Sequence, residues 1–206
     1  MQSKSPFFII EEFISPLQCE KLVSSLALKK PSRLENGDPI AYERYLPNDS
    51  ESTRILESLA DHQEVINSYY ATSVASYSIK FQQFWENTKA PAQEISLPGW
   101  KYSRKKWTKV ANVDFVGIVW LKDYNDSVPL DPRYETYGGK LEFPSFDFSF
   151  VPTRGTMTIF PATPNFAYAI SHVLFGSMEQ LVVGVSANKE FVYKSDNFPG
   201  SYREWF

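Results

Sequence analysis

The chain contains one cysteine, Cys19, and two histidines, His62 and His172, in 206 residues. A lone cysteine excludes an intramolecular disulfide framework and any cysteine-rich zinc site. Two histidines cap the imidazole chemistry available to any metal centre. Charge of one sign is scarce as well: 21 Lys and Arg against 24 Asp and Glu leave a formal net charge of -3. Global attraction to nucleic acid or to an anionic membrane is therefore missing, and nucleic acid is not expected as a partner. Long hydrophobic runs are absent too. The opening MQSKSPFFIIEEF has four consecutive apolar residues before two glutamates, too few for a signal-peptide core, and no later run approaches the ~20 residues of a membrane span. A cytoplasmic protein without membrane partners is the expectation. No glycine-rich phosphate loop leads into a helix, and Cys19 has no evident base with which to act as a nucleophile.

What is present is apolar and aromatic: 43% hydrophobic and 16% aromatic residues, with 22% charged. That is enough to offset chain entropy, so one globular domain over residues 1–206 is expected. FFII reads as a short strand feeding a helix in SPLQCEKLVSSLAL, where Ser15 and Gln18 form a capping box and Pro16 suits the first turn. Residues 29–50 hold Pro31, Gly37, Pro39 and Pro47 and read as a loop with some extended structure. Ile55, Leu59 and Ile66 predict a helix from about Ser52 to Tyr70, with His62 on the same face. Alternation of Tyr77, Ile79, Phe81 and Gln83 with polar residues predicts a strand buried on one side. VDFVGIVWL, 113–121, is apolar nearly throughout and predicts a strand covered on both faces. Residues 86–99 and the Pro129–Pro132 region read as loops, and QLVVGV, 180–185, as a closing strand. Between them, YGGKLEFPSFDFSFVPTRGTMTIFP, 137–161, reads as two strands joined by a turn. Gly138, Gly139 and Gly155 permit tight turns there, and Phe146, Phe148 and Phe150 share one face. Helices at the front and strands behind give an α+β, mainly β class.

The pieces FFIIEEFISPLQCEKLV, FVGIVWLKDY, GGKLEF, RGTMTIFP and VLFGSMEQLVVGV together resemble the 2-oxoglutarate/Fe(II) dioxygenases of the prolyl-4-hydroxylase type. The resemblance implies a double-stranded β-helix, or jelly roll, with N-terminal flanking helices, and Fe(II) and 2-oxoglutarate as cofactors. More loosely, YGGKLEF…RGT…FP is similar to an arrangement in proteins of tailed phages of marine bacteria, which implies a virion or virion-assembly setting.

Non-haem Fe(II) oxygenase chemistry needs two neutral imidazoles and one carboxylate facing the metal. The resemblance implies a His-x-Asp/Glu pair shortly before FVGIVWL, but KYSRKKWTKVANVD supplies Asp114 and no histidine. The second histidine position falls near Tyr168, four residues before His172, and the basic cosubstrate anchor falls on Met178. His62-Gln63-Glu64 spells His-x-Glu, but on a predicted helix far upstream. The sequence therefore implies an inactive dioxygenase-like jelly roll, with no catalytic residue and no cofactor, serving as a structural or binding module. The alternative is an active hydroxylase using Fe(II) and 2-oxoglutarate at a non-standard centre built from Asp114 and His172 with Glu179 or Tyr168.

Three further stretches carry binding potential. WKYSRKKWTK, 100–109, sets Lys101, Arg104, Lys105, Lys106 and Lys109 among Trp100, Tyr102 and Trp107, a pattern that tracks phosphates while bases stack, or that simply covers a sheet. DYNDSVPLDPRYE clusters Asp123, Asp126, Asp131 and Glu135 without an EF-hand spacing and reads as a solvated loop. The tail 191–206 is dense in aromatics, and Phe198, Tyr202, Arg203, Trp205 and Phe206 are the residue types that anchor interfaces. Protein partners or self-association are the expectation.

Overall fold

The structure, a computed structural model, describes residues 5–27, 42–46, 50–85 and 96–188. Its first strand, β1 (Phe8–Ile10), leads into α1 (Pro16–Leu26). Both arms of the capping box form: the Gln18 amide donates to the Ser15 hydroxyl at 3.3 Å, and the Ser15 amide donates to Gln18 Oε1 at 2.8 Å. β2 (Tyr42–Tyr45) supplies the extended piece expected before α2 (Ser50–Tyr70), and β3 (Val74–Trp85) follows. The basic stretch forms a two-stranded hairpin of β4 (Trp100–Ser103) and β5 (Lys106–Lys109). β6 (Phe115–Trp120) is buried at every position. The remaining strands are β7 (Asp123–Asn125), β8 (Glu135–Gly138), β9 (Leu141–Phe143), β10 (Phe148–Phe150), β11 (Met157–Pro161), β12 (Ala169–Ile170), β13 (Val173–Phe175) and β14 (Ser177–Ala187).

Six strands form the main sheet in the order β1-β11-β6-β14-β3-β2, and its neighbouring strands are all antiparallel. The two-residue period of a strand sends alternate side chains to opposite faces. Leu181, Val183 and Val185 of β14 join Phe81, Phe115 and Ile159 on the face covered by Leu22 and Leu26 of α1 and by Ile55, Leu59 and Ile66 of α2. Met178 and Val182 of β14, with Val116, Ile118 and Trp120 of β6, face the other way. There the short sheets β10-β9-β12 and β13-β8-β7 close the second layer of the jelly roll. The fold class is thus mainly β with flanking helices, as the sequence implied.

The 137–161 stretch is not a single pair of strands. β9 and β10 pair as a hairpin across Pro144–Asp147, whereas β11 crosses to the main sheet between β1 and β6. Alternation reports faces but not the sheet a strand joins, which is why a crossing strand read as a hairpin arm. The Pro129–Pro132 loop is likewise bracketed by a short parallel pair, β7 with β8. Gly138 turns at φ 89°, where a Cβ would collide with the His172 carbonyl, so only glycine lets this close approach form. No helix among the described residues is long and apolar enough to cross a membrane.

Candidate functional site

The interior of the jelly roll is built from alternate residues of its facing strands. β6 contributes Trp120, β9 Leu141 and Phe143, β11 Phe160, and β14 Met178, while the short helical turn Pro164–Phe166 adds Phe166. Phe7, just before β1, is the hub: its ring centroid lies 4.9–6.2 Å from those of Phe143, Phe146, Phe148, Phe150, Phe160 and Phe166. Tilted and edge-on contacts of this kind are the favoured aromatic geometry and pack as densely as any core. Rings line the space between the two layers.

Tyr168, at the position implied for the second histidine, is 2% exposed and packs within 5.6 Å of Phe160 and 6.2 Å of Phe143. Its backbone is fixed by paired hydrogen bonds with Ser96. Burial pushes its phenol well above the ordinary range, so phenolate is disfavoured there. Met178, at the implied cosubstrate anchor, is buried against Gly139 and Val173. Trp120 Nε1 and Gln180 Oε1 are buried without a hydrogen-bond partner among the described residues. They are register partners on one sheet face, a neutral donor and acceptor suited to water rather than to a divalent cation.

The candidates for a non-standard centre are scattered. Asp114 is committed at the foot of β6, with Oδ1 3.2 Å from Lys109 Nζ and Oδ2 accepting from the Ala187 amide at 2.9 Å. His172 is exposed on the turn between β12 and β13, its carbonyl accepting from the Gly139 amide. Glu179 points to the helix side of the main sheet, opposite to Met178 and Gln180, because successive strand residues alternate. None of the described contacts links these three. His62 sits on α2 with its ring 5.5 Å from that of Phe13 and Nδ1 2.8 Å from the Ser58 carbonyl, a packed helix residue. No group of three or more His, Cys, Asp or Glu able to hold a metal occurs among the described residues. Neither histidine of the chain faces the jelly-roll interior, so the residues present do not fit a two-imidazole, one-carboxylate Fe(II) centre with an anchored 2-oxoglutarate.

The polar focus lies instead on the helix side of the sheet, and sequence reading missed it. Lys122 and Glu179, whose side chains are 4% and 1% exposed, form an ion pair of 2.9 Å. Lys122 Nζ also donates to the carbonyls of Pro132 and Ser177 and to Ser177 Oγ, at 2.8–3.1 Å, while Gln83 donates to Glu179 Oε1 at 3.0 Å. These residues line a cleft of about 420 Å³ with Glu20, Ser24, Arg133 and Tyr134. The signal was available: Lys122 directly follows an apolar run, and Glu179 heads a strand face that continues with Leu181, Val183 and Val185. The acidic loop pairs locally, Asp131 with Arg133 and Asp123 with Arg154, not with the 100–109 stretch.

Cys19 is on the buried face of α1, and burial, opposed by the nearby Arg154, pushes its thiol up to about 12. The unfolded thiol ionises near ~8.5. Above that value the unfolded chain sheds a proton that the folded chain keeps, so this residue's contribution to stability falls as pH rises from about 9 towards 12. A thiol reagent at pH 8 is expected to leave native Cys19 unmodified and to label it in full after denaturation in urea, read by mass spectrometry.

The basic residues Lys101, Arg104, Lys105 and Lys106 are exposed on the β4–β5 hairpin, with Lys109 at its base. The tail candidates Phe198, Tyr202, Arg203, Trp205 and Phe206 lie outside the described residues.

No family model matches the chain, and no curated protein does. Solved structures do. Viral collagen prolyl hydroxylase from Paramecium bursaria Chlorella virus-1, in its 2-oxoglutarate complex, superposes with a TM-score of 0.62 at 13% identity, covering 89% of this chain and 97% of that one. A Pseudomonas putida prolyl-4-hydroxylase gives 0.59 at 10% identity over 89% and 93%. A 2OG-Fe(II) oxygenase family oxidoreductase from Burkholderia pseudomallei gives 0.54 at 13% identity over 88% and 84%. The fold is that of the 2-oxoglutarate/Fe(II) oxygenases, and at these identities the likeness is one of fold.

Proposed function

We propose that this oxygenase-type jelly roll is catalytically silent and serves as a binding or structural module, in the setting of a tailed-phage virion or its assembly. The observation that carries the reading is the interior itself: rings of Phe7, Phe143, Phe160, Phe166 and Tyr168 occupy the space between the sheets, and the charged groups on that face of β2 and β3, Glu43 and Lys80, are paired with each other at its edge. A scaffold whose interior is lined with rings offers its surface for use. Phe146 and Phe148, 41% and 45% exposed, extend the same aromatic cluster onto the outside at the β9–β10 turn. Half-exposed phenylalanines backed by a rigid core are the type of anchor that fills a pocket on another protein. The aromatic tail, with Tyr202, Arg203, Trp205 and Phe206, supplies a second contact in this proposal, to a neighbouring copy or another protein.

Sedimentation velocity on the full chain, on Phe146→Ser/Phe148→Ser and on a chain lacking residues 198–206 tests the proposal. Assembly by the parent that is lost in either variant, with native circular dichroism retained, is the expected result. A parent that stays monomeric at every concentration and converts 2-oxoglutarate to succinate with Fe(II) would overturn it.

A further inference from the structure

The β4–β5 hairpin is a two-stranded sheet of its own that pairs with no other strand among the described residues and meets the body through side chains. Its register pairs Trp100 with Lys109, Lys101 with Thr108, Tyr102 with Trp107 and Ser103 with Lys106. Directly opposed residues share a face, and faces alternate along each strand. One face therefore carries Trp100, Tyr102, Trp107 and Lys109. At its base it is the inner face: Trp100 Nε1 donates to the Ala162 carbonyl at 2.8 Å, Trp107 packs on the interior cluster, and Lys109 is paired with Asp114, while the Tyr102 ring, 5.1 Å from that of Trp107, is 57% exposed. The outer face carries Lys101, Ser103, Lys106 and Thr108, all exposed, and Arg104 and Lys105 form the tip. Among the described residues none of these four cations has an acidic partner.

The separation of rings from cations changes what the stretch is fitted for. Of the three rings only Tyr102 is exposed, and it lies on the face opposite to Lys101 and Lys106, so a strand tracked by those cations meets no row of stacking platforms of the kind single-strand binding uses. The outer face is instead composed wholly of Lys, Arg, Ser and Thr, the side chains that contact phosphate oxygens. Arg104 and Lys105 sit in the left-handed region, at φ 52° and 61°, where hairpin turns ordinarily place Asn and Gly. The chain keeps positive charge at the tip despite that conformational cost. Five of its 21 basic residues fall in these ten positions with none of its 24 acidic ones, so the net charge of -3 conceals a strongly cationic ribbon on an acidic body.

We propose that the outer face and tip of this ribbon bind the phosphate backbone of double-stranded nucleic acid, without reading sequence. A two-stranded ribbon is of a size that the major groove admits. An anionic membrane is a poorer fit, because the outer face has no apolar side chain to enter the headgroup layer.

Fluorescence anisotropy with a labelled DNA duplex tests it, using the full chain and Lys101→Ala/Lys106→Ala. Four cations releasing counterions give an expected fall in affinity of ~100-fold between about 50 and 200 mM salt, and the double variant is expected to halve the log–log salt slope. Scrambling the duplex sequence should leave affinity unchanged. The proposal is overturned if no duplex binding occurs at low salt, if the double variant keeps the parental slope, or if phosphatidylserine vesicles or polyglutamate bind as tightly at equal charge.

Discussion

Lys122→Met is expected to lower the unfolding free energy by about 3–5 kcal/mol. The substitution keeps the length of the side chain and removes its charge, leaving Glu179 as an unpaired carboxylate at 1% exposure. It also frees the carbonyls of Pro132 and Ser177, through which one ammonium fastens the 130s loop to the start of β14. Desolvation of two buried charges consumes most of what their attraction returns, so the pair adds little net stability while loss of one partner is expensive. Lys122→Met/Glu179→Gln should therefore recover a large part of the loss, because the glutamine carbonyl can still accept from Gln83 and no charge is stranded. Urea denaturation of the parent, both single variants and the double closes the cycle, and a coupling energy above ~1.5 kcal/mol is expected. If Lys122→Met costs less than ~1 kcal/mol, water reaches the pair and the attachment of the loop has another cause.

Met178→Arg is expected to be at least as damaging, by about 4 kcal/mol or more, and to leave much of the chain unfolded at 37 °C. Met178 is 1% exposed and its Cγ lies against Gly139. Trp120, Val173 and Val182 belong to the same cluster, and the carboxylate on this face, Glu43, is already engaged by Lys80 and Gln82. A guanidinium placed among these apolar side chains loses its water. Met178→Leu, which conserves volume and polarity, should cost less than ~1.5 kcal/mol. The contrast is informative because a jelly roll that retained a hydrated cosubstrate cavity would accept arginine at near-parental stability. Thermal melts of the two variants separate a packed interior from an open one.

Most of the framework was legible because it rests on local rules. The Ser15–Gln18 box, the apolar spacing of Ile55, Leu59 and Ile66, and the alternation from Tyr77 to Gln83 each follow from the geometry of one element. The sheet a strand joins is a non-local property, which is why β11 read as the partner of its neighbours in sequence when it pairs with β1 and β6. The shortage of imidazoles was legible from composition, since the chain has two histidines. The contents of the cavity were not: nothing local says that Phe7, at the front of the chain, reaches Phe160 and Phe166, more than 150 residues away. The Lys122–Glu179 pair was hidden for the same reason, its partners being separated in sequence and joined only by the register of β14. The hairpin shows a third case, in which the residues were noticed but their sorting onto two faces required the pairing of Tyr102 with Trp107.

Equilibrium dialysis against Fe(II) and 2-oxoglutarate without oxygen, followed by elemental analysis of the protein, tests most directly whether the interior has given up metal chemistry. An iron content well below one per chain, unchanged by His172→Ala, is the expected result. One iron per chain, bound in the presence of 2-oxoglutarate and lost in Tyr168→Phe or His172→Ala, would contradict the account.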